Sequence, residues 1–238
     1  MQYFGSVSSP LWQDKKVFLV GGGPSLRGFD FQRLAAWPRQ IVVGINQSIW
    51  DAPCDVGVSM DYLFCQRNHD RLAQFAQDHE LYLAVGNRWY EHMARIPGAI
   101  YLKNFEREGL SLDPEYVCRG GTSGYAALNV AVLKLSGVIV LLGYDYGAAG
   151  TGRHHYHDAY PWMRANAENW KAWAEHYKHA AEVCAQQGIV VVNASEKSAL
   201  SCFNKCSLET MLSEGRSLSR ECRGLGTISC NGHSFDNG

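Results

Sequence analysis

Apolar residues fall along this chain in two rhythms. Short β-branched runs alternate with longer stretches of three- and four-residue spacing, the signature of a parallel sheet with helices on its faces. Lys16–Val20 (KVFLV) is predicted as the first strand and runs into Gly21-Gly22-Gly23. Gln40–Ile45 (QIVVGI) ends at Asn46, Val56–Ser59 (VGVS) precedes Asp61, and Leu81–Val85 and the short Ile100–Leu102 follow. Val138–Leu142 (VIVLL), the most hydrophobic run, is expected at the sheet centre and leads into Gly143-Tyr144-Asp145-Tyr146-Gly147. Ile189–Val192 is the last strand and stops at Asn193.

Between the strands, the spacing predicts helices over Phe31–Trp37, Arg67–Gln77, Tyr125–Leu135 and Arg164–Gln187. In the third, Ala126, Ala127, Val130, Ala131 and Lys134 share a spacing whose small residues let the helix approach the sheet closely. In the fourth, Trp170, Trp173, Tyr177, Ala181 and Cys184 recur on one face, an aromatic face read as core. Gly188 is its natural stop. Residues 148–162, rich in Gly, His and Tyr, carry no period and read as a loop or lid. The expected organisation is an N-terminal extension (1–15), one Rossmann-like α/β domain (16–212) and a flexible polar tail (213–238). The sheet is expected to be mostly parallel, with helices on both faces.

Composition narrows the partners. Of the 238 residues, 46% are hydrophobic and 19% charged, which fits a globular core and argues against disorder. Twenty-two basic and 23 acidic residues give a formal net charge of -1. A protein gripping duplex phosphates carries a basic excess or stripe, so nucleic acid is disfavoured as a partner. No segment reaches the roughly 20 apolar residues of a membrane span. The start, MQYFGSVSSPLWQDKK, lacks a basic segment followed by an apolar one, so the expectation is a cytoplasmic protein. The eight cysteines read as reduced thiols. A zinc site from Cys202, Cys206, Cys222, Cys230 and His233 matches no standard spacing, and no metal site is expected.

The chemistry sits at the strand ends, where open parallel sheets bind ligands. In GGGPSL, glycines permit close backbone approach and the turn's N–H groups form an anion-binding concavity, with Ser25 adding a hydroxyl. The alternative is a plain tight turn, since the motif is neither a Walker sequence nor G-x-G-x-x-G. In GGTSG, Thr122 or Ser123 caps a helix, and the same helix N-terminus suits an anion. Asp145 and Asp61 read either as ligand-binding carboxylates, for Mg²⁺, a ribose hydroxyl or an amine, or as loop caps. Arg153-His154-His155-Tyr156-His157 reads three ways: as a source of a general base, as a solvated loop, or as a metal site of unfamiliar spacing.

Taken in order, VFLVGGGPSL, VVGINQSI and GGTSGYAALNVAVLKLSGVIVLLGYDYG resemble the bacterial sialyltransferases of glycosyltransferase family 42. They are also similar to the wider group of the archaeal 6-hydroxymethylpterin diphosphokinase and the Maf-type flagellin-glycosylation proteins. Many phage proteins share this layout, with an ending like VNASEKSALSCFNKCSLETML. The resemblance spans roughly residues 16–212. It implies nucleotide-sugar contacts at Gly23, Pro24, Ser25 and Asn46, a cytidine-holding turn at Thr122, Ser123 and Gly124, and ribose contacts near Gly143 and Asp145; Gly22 and Asp61 join the expected nucleotide site from their places at the strand ends. It implies inverting, metal-independent transfer to a hydroxyl, with His157 as first candidate for the base and His154 and His155 next. The family's phosphate-holding tyrosines follow the Asp at a different step from Tyr146, so Tyr156 or Tyr160, with Arg153, are the candidate phosphate contacts. The expected partners are a nucleotide or nucleotide sugar and a small-molecule or glycan acceptor.

Three functions follow from these motifs. The first is a glycosyltransferase with a CMP-sugar-like donor and no required cofactor. The second is a pyrophosphokinase needing ATP and Mg²⁺ on carboxylates such as Asp61 and Asp145. The third is a non-catalytic nucleotide-binding protein. A phage enzyme glycosylating modified DNA bases is a variant of the first.

Overall fold

A computed structural model describes residues 5–7, 12, 14–35, 40–84, 92–105, 109–118, 120–147, 154–159, 167–195 and 197–213. Four strands rise from the first half of the chain: β1 (Lys16–Val20), β2 (Gln40–Ile45), β3 (Val56–Ser59) and β4 (Glu80–Leu83). They are followed by β5 (Ile100–Tyr101), β6 (Lys103–Phe105), β7 (Tyr116–Cys118), β8 (Val138–Leu142), β9 (Val190–Asn193) and β10 (Asn204–Lys205). All but β6 and β7 join one sheet, in the order β10-β9-β8-β1-β2-β3-β4-β5, and every pairing in it is parallel. The chain therefore builds outward from β1 in one direction and then returns to lay β8 on the other side of β1. That reversal is the switch point at which doubly wound sheets open a crevice.

Both faces are covered, which is why the central strands are continuous apolar runs between polar ends rather than alternating patterns. Val17, Leu19, Val43, Ile139 and Leu141 face a core shared with α4 (Ser123–Leu133) and α5 (Ala167–Gln186). Phe18, Val20, Val42, Val140 and Leu142 face a second core closed by Leu26, Leu34, Met211 and Leu212. β8 is interior, flanked by β1 and β9, one strand from the midpoint expected for it.

Several elements differ from their sequence reading. The helix expected over 67–77 is α3 (His69–Asp78), and a separate α2 (Tyr62–Arg67) that the spacing did not predict precedes it. Asn68 separates them, and its amide donates to the Phe64 carbonyl, a local bond that competes with the helical ladder. Phe31–Trp37 forms only a 3-10 turn over Phe31–Leu34 among its described residues, capped by Asp30. The short α1 (Ser48–Asp51), the β6–β7 pair, β10 and α6 (Leu208–Ser213) had no periodic signal in so few residues. The segment read as an N-terminal extension contributes Val7 and Trp12 to the main core. Lys134, placed among apolar positions by its spacing, is 1% exposed and pairs with Glu80 at 2.8 Å. Of the expected tail, residues 214–238 lie outside the described residues. No helix among the described residues is long and apolar enough to cross a membrane.

Candidate functional site

Val20 pairs with Leu142, so β1 and β8 end side by side and release their two polar segments together. The N–H groups of Gly21 and Gly23 donate to the carbonyls of Leu142 (2.7 Å) and Gly143 (2.8 Å). The Asp145 carboxylate then accepts from the Ser25 hydroxyl at 2.8 Å and the Ser25 N–H at 3.3 Å. A side chain at residue 23 would occupy the place of that carboxylate, which is why glycine stands there. Burial raises the pKa of Asp145, against the lowering effect of the Ser25 bonds.

The neighbouring strand ends are tied just as closely. Asn46 sits at φ 55°, a left-handed conformation that Asn tolerates better than most residues, and its Oδ1 accepts from the Ser59 hydroxyl at 2.7 Å. Asp61 caps α2, accepting from the Phe64 N–H at 3.0 Å. Ser123 reaches across from α4, its Oγ accepting from the Met60 N–H at 3.0 Å. Thr122 is the N-cap of α4, accepting from the Tyr125 N–H at 3.2 Å. Its hydroxyl also meets the Tyr146 hydroxyl at 2.7 Å, and Tyr146 meets that of Tyr177 on α5 at 2.7 Å. The Ser123 and Gly124 N–H groups, in the first turn of α4, take no hydrogen bond among the described residues.

These segments enclose a cleft of about 360 Å³, within the range of small-molecule sites. Gly22, Gly23, Pro24, Asn46 and Asp61 line it from the first half of the chain. Thr122, Ser123, Gly124, Gly143 and Asp145 line it from the second, with His154, His155 and His157 over the top. Two of the expected residues turn elsewhere. Ser25 serves Asp145, and Tyr156 is not a wall of the cleft: its ring lies 5.4 Å from Phe31 and its hydroxyl donates to Asp51 at 2.7 Å. Tyr156 is a tether, since its N–H also holds the Gly22 carbonyl at 3.0 Å. Arg153 and Tyr160 lie outside the described residues.

Two of the cleft histidines form a pair. His155 and His157 stack with centroids 5.1 Å apart and planes 6° from parallel. Burial lowers both pKa values, and the neighbouring His155 pushes His157 further down, to about 4. Both rings are therefore neutral at pH 7. The Ala159 N–H donates to His157 Nδ1 at 3.2 Å, which places the proton of that neutral ring on Nε2. The Gly22 backbone beside His155 raises its pKa in part, against the larger lowering effect of burial. Among the described residues no three His, Cys, Asp or Glu side chains are grouped to hold a metal. Cys202 and Cys206 are thiols rather than disulfide halves, and Cys222, Cys230 and His233 lie outside the described residues.

The aromatic face of α5, read from its spacing as core, does pack on the main core: Tyr177 and Cys184 are buried, and Trp170 and Trp173 lie half-buried against it. The two tryptophans also line the cleft, with Tyr144 and Tyr146, a second role that helical period does not show.

An all-parallel doubly wound sheet with a cleft at its switch point defines the chain as an α/β protein of Rossmann-like architecture. No protein-family model and no curated protein matches the chain.

Proposed function

We propose that the chain is a glycosyltransferase that binds a nucleotide-activated sugar in this cleft and transfers the sugar, with inversion, to a hydroxyl acceptor. The observation that carries the reading is the convergence of the Gly21–Gly23 turn, Asn46, the first turn of α4 and a pair of neutral histidines on one cleft at the β1–β8 switch point. The open N–H groups of Ser123 and Gly124, at the positive end of α4, suit the phosphate of the donor. Asn46 and Asp61 lie at the β2 and β3 ends, where a nucleoside would extend.

The two histidines take different roles. His155, neutral and lining the cleft beside the Gly22 turn, is the base that takes the acceptor's proton as oxygen attacks the anomeric carbon. His157, with Nε2 protonated, donates a hydrogen bond to the departing phosphate. The base role thus moves from His157, favoured by the sequence, to His155. The pyrophosphokinase reading draws less support, because Asp61 and Asp145 are already engaged by Phe64 and Ser25.

Thermal-shift binding with CMP, CDP, UDP, GDP, ADP and ATP, each with and without Mg²⁺, tests the reading. A ligand at about 100 times its Kd stabilises by roughly 2.7 kcal/mol. Stabilisation by a cytidine or uridine nucleotide without metal is expected, and stabilisation by ATP with Mg²⁺ alone would replace the reading with the pyrophosphokinase. His155→Ala is expected to keep that stabilisation and abolish turnover of a CMP-sugar. Full turnover in this variant would remove His155 as the base.

A further inference from the structure

The cleft has two unlike ends. At the β2–β3 end stand Asn46 and Asp61, engaged by polar neighbours. At the α5 end the wall is aromatic: Trp170 and Trp173 meet edge to face at 5.2 Å and 88°, and the Tyr146 ring stands edge-on to Trp170 at 6.0 Å. The Trp173 indole lies against Gly121, whose φ is +79° and where any side chain would collide with that ring. His154 stacks on Trp170 at 5.8 Å, and both His154 Nδ1 and Trp170 Nε1 are buried without a hydrogen-bond partner. Such orphaned atoms are unfavourable until something meets them. No Lys or Arg lines the cleft among the described residues, whereas Asp61 and Asp145 do.

We infer that the aromatic end of the cleft is a stacking subsite for an uncharged ring, its flat face on the Trp173 indole and its polar edge toward Trp170 Nε1 and His154 Nδ1. The inference rests on the transferase reading only for the ring's role there, which is that of the second substrate, its hydroxyl turned toward His155. An indole face is electron-rich, so it attracts the polarised C–H face of a sugar ring or the plane of a nucleobase. With no Lys or Arg among the described lining residues, an acidic ring finds no cation there to offset its charge. His154 already covers Trp170, so the incoming ring takes the other indole, Trp173.

Saturation-transfer NMR on the full chain tests this with methyl β-galactoside and methyl β-glucoside as neutral pyranosides, cytidine and uridine as uncharged nucleosides, and methyl β-glucuronide as the acidic ring. Transfer to ring C–H protons is expected for a neutral probe, and the class that responds says whether sugar or base occupies the wall. Trp173→Leu should weaken that probe at least about fivefold, as ~1 kcal/mol of lost stacking would, while Trp173→Phe keeps most of it. Selective saturation of the indole protons in the unaltered protein gives the same answer should Trp173→Leu fail to fold. No transfer from any neutral probe, equal binding in Trp173→Leu, or preference for the glucuronide would overturn the subsite. Nucleotide stabilisation is read separately: if it is absent while a neutral ring still stacks, the transferase reading falls and the subsite stands.

Discussion

The two glycine-rich turns of this chain look alike in sequence and do different work. In the turn after β1, Gly21, Gly23 and Ser25 direct their N–H groups into the end of β8, and the space beside each glycine is filled by the protein itself. Gly143 and Asp145 fill the space at residue 23, and His155 that at residue 22. In the turn before α4, the side chains of Thr122 and Ser123 are engaged by Tyr125, Tyr146 and Met60, but the backbone N–H groups of Ser123 and Gly124 remain open. The first turn is a joint that closes the switch point, and the second offers donors to a ligand. Glycine content shows that a backbone comes close to something. It does not say whether that something is a ligand or the protein's own next strand.

The largest break in this comparison is Gly23→Ala. Its methyl group has no room beside the Asp145 carboxylate and the Gly143 carbonyl, so a loss of about 3 kcal/mol or more is expected in urea unfolding. A wild-type midpoint would show that the joint yields. Ser123→Pro acts on the other turn. Proline suits the first helical position, and Thr122 before it is extended (φ -142°, ψ 152°), as a residue preceding proline should be. The change removes one open N–H and the Met60 contact, so nucleotide affinity should fall about tenfold, the effect of one bond to a charged group. Ser123→Ala, which keeps the N–H, should cost about 1 kcal/mol of stability and leave affinity nearly intact. Isothermal titration separates the two variants, and equal losses of affinity would assign the contact to the hydroxyl.

A smaller effect comes with pH. His155 and His157 have folded pKa values below the unfolded 6.5, so the unfolded chain binds more protons as pH falls from about 6.5 toward about 4. Stability contributed by the neutral pair is thus present above pH 6.5 and is lost through that window. A double His155→Asn, His157→Asn variant should show a flatter melting-temperature profile there. Asp145 has the opposite sign. Its folded pKa is raised, so its contribution is present at low pH and lost as pH rises through the folded value. Asp145→Asn at pH 7, which keeps an acceptor for Ser25, should change stability by no more than about 1 kcal/mol. A large destabilisation would mean that the joint depends on the charge itself.

Much of the sheet was legible because strands buried on both faces are continuous apolar runs bounded by glycine and polar residues, as in KVFLV and VIVLL. The polar strand ends were legible for the same reason, since Asn46, Asp61 and Asp145 interrupt an apolar pattern where the chain leaves the core. Legibility failed where a residue's surroundings come from distant segments. Asn129, inside an apolar helix, accepts from the N–H groups of Ser111 and Cys118 at 2.9 and 2.8 Å and so holds the β6–β7 segment. Nothing in its neighbours within the helix indicates that. Lys134 shared the spacing of a buried face, but its partner Glu80 is a strand away.

By itself, then, the sequence determined the strand–helix alternation, the parallel sheet and the segments that emerge at its carboxyl edge, because periodicity and burial act through near neighbours. Tertiary structure decided the assignment of work among those segments. It turned Tyr156 away to Asp51, brought Trp170 and Trp173 to the cleft, set the tautomer of His157 through the Ala159 N–H, and closed one glycine turn while leaving the other open. A hydrogen bond is settled by which atoms are three ångströms apart, and residues separated by more than a hundred positions meet at that distance only in the folded chain.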